Sequence, residues 1–136
     1  RTPSSAASDV YKRQGDIMEL KKRQDDTLAE VTSIEVKADG MVISAKADMP
    51  SYGKVRFSIN VQSSGERNSG SCFGSGRGST ADGNFLAGIF SGRWHREGTT
   101  AFMNYIVEVS NGDRNLDMVE FDSTTDQIKI QHFALN

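Results

Sequence analysis

The chain has 136 residues, 36% hydrophobic and 25% charged, which suits one domain with a sizeable core and argues against disorder. No apolar run approaches the roughly 20 residues of a transmembrane helix. A formal charge of -2 and a pI near 5.7 offer nothing to a phosphate backbone, so neither membrane nor nucleic acid is expected as a partner.

In chain order, the opening stretch Arg1–Gln14, RTPSSAASDVYKRQ, resembles translated sequencing-adaptor read-through at the ends of metagenomic proteins. It is Ser/Ala-rich and has no apolar period, so it is set apart from the fold as a non-native segment. Native sequence is expected from about Gly15, with Met18 a candidate start. From Ile17 to Val31, the residues Ile17, Leu20, Leu28 and Val31 fall near one helical stripe. They predict an amphipathic helix over about 16–31 that covers a sheet with Leu28 in the core.

After Val31 the period changes to two. Strands are expected at about Thr32–Ala38 and Met41–Asp48, joined at Asp39-Gly40. The turn Pro50–Gly53 leads to a third strand, in which Val55, Phe57, Ile59 and Val61 alternate with polar residues. A polar loop, Ser63–Ser69, precedes a fourth strand at Gly70–Ser79. Asp82-Gly83, Glu97-Gly98 and Asn111-Gly112 punctuate strands at Phe85–Arg96, Thr99–Ser110 and Arg114–Asp122. The turn Ser123–Asp126 leads to an eighth, Gln127–Leu135. The fold is thus expected to be mainly β: an eight-stranded antiparallel up-and-down meander forming a barrel, with one N-terminal helix, in a single domain over 15–136.

In strand count and turn spacing, residues 31–135 resemble the calycin and allene-oxide-cyclase-like barrels. That resemblance implies a small apolar molecule bound or transformed inside the barrel. The lipocalin Gly-x-Trp signature belongs near the first strand, whereas Gly92-Arg93-Trp94 lies in the fifth, so no family residue is carried over.

Turn length fixes which side chains share a face. Two-residue turns at Glu97-Gly98 and Asn111-Gly112, with a four-residue turn at Ser123–Asp126, predict an inner face of two kinds of residue. Ile89, Phe102, Ile106, Val119, Phe121, Ile128 and Ile130 are its apolar members. Arg93, His95, Asn104, Glu108, Asn115, Asp117 and His132 are its polar ones. The opposite face collects Trp94, Phe90, Tyr105, Leu116 and Met118, an ordinary core under the helix or a contact between copies. Gly70, Gly74, Gly76, Gly78 and Cys72 also turn inward; barrel bending or the close approach of a bulky neighbour is preferred over ligand space as the purpose of the glycines.

Asp117 opposite His132 has the form of an orienting carboxylate and a general base. The plainer reading is a satisfied polar pair. Arg93 and Asn104 suit a substrate carbonyl, carboxylate or oxyanion, with Glu108, Asn115, Phe102 and Phe121 completing a ligand site. Alternatively Arg93 pairs with Glu108 or Asp117. His95 sits near a rim and reads as a surface residue. No tight ligand spacing supports a metal, and FGSGRGS lacks the ending of a phosphate loop, so no cofactor is expected. Cys72 reads as a small packed residue; as the single cysteine it excludes an internal disulfide, and with no signal segment it suits a reducing cytoplasm. Three functions remain open. They are an acid–base isomerase, cyclase or hydratase, a non-catalytic carrier or sensor of a small hydrophobic ligand, and an oligomeric module with a filled barrel.

Overall fold

The computed structural model describes residues 19–136 apart from 64 and 66. Arg1–Gln14, Ile17 and Met18, and the expectations placed on them, lie outside the described residues. Eight strands follow in order: β1 (Lys21–Lys37), β2 (Gly40–Met49), β3 (Gly53–Ser63), β4 (Ser69–Ser79), β5 (Phe85–Glu97), β6 (Thr100–Val109), β7 (Arg114–Asp122) and β8 (Gln127–Ala134). Each pairs antiparallel with the next, and β1 also pairs with β8, so the sheet closes into a barrel. Ile43, Ile59, Met103, Ile128 and Ile130 are almost completely buried inside it. Burial of each such side chain stabilises the fold by about 1.5–3 kcal/mol.

The expected N-terminal helix is corrected here: Lys21–Val31 is strand, and the described residues contain no helix. Leu28, expected in the core, is 63% exposed, whereas Thr27 and Ala29 on either side are buried. Lys21–Glu30 pairs with β8, and Glu30–Lys37 pairs with β2. Satisfying two ladders of backbone donors and acceptors outweighs a four-residue apolar stripe. A bulge between Gln24 and Thr27 puts both of these side chains inside and leaves Asp25 and Asp26 outside.

Two loops are one residue longer than their Asp-Gly and Asn-Gly pairs suggest. Thr80 N–H donates to Asn84 O at 2.9 Å around Ala81–Gly83, and Val109 N–H donates to Asp113 O at 2.9 Å around Ser110–Gly112. Gly83 (φ 93°) and Gly112 (φ 98°) close these loops in the left-handed region, the three-residue form of hairpin. Each extra residue inverts the faces of the strands beyond it. Relative to expectation, β5 and β6 are therefore inside out, while β4, β7 and β8 keep their faces. The β5–β6 turn is Gly98-Thr99 rather than Glu97-Gly98, a displacement that leaves faces unchanged.

The corrections follow directly. Arg93, His95, Asn104, Glu108 and Ile106 are exposed on the outer wall, and Phe102 lies outside, stacked on His95 at 5.2 Å. Trp94, Phe90 and Tyr105 are buried in the core, so the contact between copies assigned to them has no surface there. Leu116 and Met118 do point outward.

Candidate functional site

The polar interior lies at the end of the barrel where β1 starts and the β2–β3, β4–β5 and β6–β7 connections meet. There the packing leaves a cavity of about 70 Å³, bordered by Phe57, Phe90, Val107, Ile130 and, from β7 and β8, Asn115, Asp117 and His132. It has room for about five solvent-sized groups at roughly 10–15 Å³ each. The glycines of β4 serve close packing, since a Cβ added at Gly70, Gly74, Gly76 or Gly78 would come within 3.1 Å of a neighbouring atom. A Cβ on Gly74 would meet Ser58 O at 1.9 Å and the Phe90 ring at 2.6 Å, so this glycine seats Phe90. On the neighbouring strand β5, opposite Gly76, a Cβ on Gly88 would make only ordinary contacts, the closest at 3.5 Å to Val107.

Asp117 and His132 face each other across β7 and β8, as the four-residue turn Ser123–Asp126 implies. His132 Nδ1 lies 3.1 Å from Asp117 Oδ1, and its Nε2 lies 2.7 Å from Thr27 Oγ1. An ionised Asp117 can only accept, so Nδ1–H donates to it and the Thr27 hydroxyl donates to Nε2. The β1 bulge is what brings Thr27 to this position. His132 is 2% exposed with both nitrogens engaged. The free acceptor at the cavity is thus the second oxygen of Asp117, which has no hydrogen bond among the described residues, rather than a histidine nitrogen.

Asn115 belongs to a second chain of hydrogen bonds across the cavity mouth. Its Nδ2 donates to Tyr52 OH at 2.8 Å, and Tyr52 OH donates to Asp113 Oδ2 at 2.9 Å. Arg23 Nε donates to Asn115 Oδ1 at 2.9 Å, and Arg23 is paired with Asp113 at 3.7 Å. Burial, then the Asp113 carboxylate, pushes the Tyr52 phenol up to about 12, so it stays a donor. Tyr52 comes from the β2–β3 turn and Asp113 from the β6–β7 loop, on opposite sides of the mouth.

Tyr105, placed by the sequence reading on the outer face, belongs to the site. It stacks on Phe90 at 4.2 Å and borders the cavity, 3% exposed. Its hydroxyl makes no hydrogen bond among the described residues, yet no fully enclosed side-chain oxygen there lacks a partner. The hydroxyl therefore opens onto the cavity. Burial, and secondarily the charge of Asp117, holds its pKa well above the ordinary tyrosine value. Residue size carried a signal for it. Phe90, Trp94, Met103 and Tyr105 alternate on one face, where water-facing strands carry smaller or charged groups.

Arg93, Asn104, Glu108 and Phe102 do not approach this cavity. Glu108 instead pairs with Arg114 on the outer wall at 3.5 Å. Phe121 is buried but packs with Ile128 and Ala101 toward the other end.

No protein-family model, curated protein or solved structure matches the chain. The architecture itself, an eight-stranded antiparallel closed barrel, is consistent with a calycin-like fold.

Proposed function

We propose that the barrel binds a small, largely apolar molecule in this cavity, its polar end at Tyr105 and Asp117. Acid–base isomerisation, cyclisation or hydration is the reaction class. The observation that carries this reading is a phenol and a carboxylate oxygen, each without a hydrogen bond among the described residues, lining one largely apolar pocket. Both atoms reach the cavity rather than being enclosed by protein, so the polar end of a ligand can engage them. Calycin and allene-oxide-cyclase-like barrels supply the architectural parallel, and the buried free thiol of Cys72 suits a reducing, cytoplasmic setting. The second reading, a carrier or sensor without turnover, draws on His132, whose nitrogens are both engaged.

Ligand-observed NMR with cyclic ketones, alcohols and hydrocarbons of about five to six non-hydrogen atoms, the size that fits, tests the proposal. At least one ketone should bind the wild type and none should bind Gly88→Leu, whose side chain fills the pocket. Binding to neither protein, or equally to both, overturns the reading.

A further inference from the structure

We infer that the cavity takes a small neutral ketone and exchanges the proton on the carbon beside its carbonyl. This rests on the binding reading above and adds the substrate class and the role of each side chain. Three observations carry it. The phenol of Tyr105 opens onto the cavity with no acceptor among the described residues to engage it, and burial keeps it protonated. Asp117 has one oxygen fixed by His132 Nδ1 at 3.1 Å and the other unengaged. The remaining lining is largely apolar, with Asn115 already bonded to Tyr52 and Arg23; the charged lining residue of β4, Arg77, is exposed and its guanidinium donates to Gly76 O at 2.8 Å, so it is not placed to hold a carboxylate deep inside.

A carbonyl oxygen is the acceptor that Tyr105 lacks. With the oxygen held there, the unengaged Asp117 oxygen is the base for the adjacent C–H. The carboxylate takes the proton as the C–H electron pair forms a carbon–carbon double bond. The carbonyl π pair moves onto oxygen, where the Tyr105 O–H donates to the developing enolate. Return of the proton from Asp117 to the same carbon regenerates the ketone. Return to the carbon two further along, in a β,γ-unsaturated ketone, gives the conjugated isomer. Nothing is oxidised or reduced, and no co-reactant is needed. His132 is a positioning residue that orients the carboxylate through Nδ1–H.

The test uses the full chain and cyclopentanone in deuterated buffer. Saturation-transfer NMR reads binding, and loss of the α-proton signal reads exchange. The wild type should bind cyclopentanone and accelerate exchange at least tenfold over Asp117→Asn, which keeps an oxygen for His132 and should still bind. Tyr105→Phe, which preserves the stack on Phe90, should slow exchange about 100-fold, the loss typical of one oxyanion donor. Binding without exchange, or exchange equal in wild type and both variants, overturns the ketone chemistry and leaves the binding reading intact. Failure of cyclopentanone to bind, with a cyclic alcohol or hydrocarbon bound instead, overturns the ketone class alone. Failure of every probe overturns both.

Discussion

Thr27→Val isolates the hydroxyl that bonds His132 while keeping the shape of the side chain. In the wild type this hydroxyl lies 2.7 Å from a ring nitrogen of a histidine that is 2% exposed. Water cannot easily replace it, so the substitution leaves a buried acceptor unsatisfied at about 1–3 kcal/mol. The added methyl returns no more than about 0.8 kcal/mol of apolar burial. The net loss should be about 1–2 kcal/mol, a fall in Tm of roughly 3–10 °C for a domain of this size. Urea unfolding should show a lower midpoint with an unchanged slope. Thr32→Val, at an exposed position of the same strand, is the control and should stay within about 0.5 kcal/mol. Imidazole nitrogen shifts should report the His132 ring proton on Nδ1. Equal stability of the two variants, or a ring protonated on Nε2, would refute the hydrogen-bond chain and the placement of β1 along β8.

Leu28→Ala should change stability by less than about 0.5 kcal/mol, whereas Ile128→Ala, fully buried, should cost about 2–5 kcal/mol; chemical denaturation separates them. Gly74→Ala should destabilise the barrel strongly because its Cβ meets backbone oxygen at 1.9 Å, while Gly88→Ala should be tolerated at a closest contact of 3.5 Å. Burial raises the Cys72 thiol to about 11 from 9.0. At pH 8 its thiolate should be about 100-fold scarcer than that of an unshifted thiol. The sign for stability follows: the raised pKa favours the fold below pH 9 and that advantage fades between pH 9 and about 11. Maleimide labelling at pH 8 and unfolding curves across that range check both.

The strand count and the Asp117–His132 pair were legible because they depend on local signals. Alternation in Val55–Val61 is unambiguous, and Val119, Phe121, Ile128 and Ile130 can turn inward only if Lys129 and Gln131 turn out. Tyr105 was not legible by the same route. Its face depends on whether Asn111-Gly112 is a complete two-residue turn or the end of a three-residue loop, and the same dipeptide serves both. A matching ambiguity at Asp82-Gly83 cancelled the error for β4, so its glycines came out on the correct side. Thr27 was hidden for another reason. The spacing of Ile17, Leu20, Leu28 and Val31 matches a helix, and only closure against β8 makes Lys21–Glu30 a strand. Closure is a property of the whole sheet, which no short window contains.

Pairing β1 with β8 also has a kinetic consequence. Every other ladder joins neighbours in sequence, whereas this one unites segments roughly a hundred residues apart, Lys21–Glu30 with Gln127–Ala134. Its loop-closure entropy exceeds that of a five-residue connection by about 2.6 kcal/mol. The hairpins should therefore assemble first, leaving an open sheet with two unpaired margins until the ring is sealed. Lys21, Lys22, Arg23, Asp25 and Asp26 stud one of those margins, and charges of this kind resist pairing with another copy while the sheet stands open. The half-made pocket shares this late step, since Thr27 reaches His132 only when the ring closes.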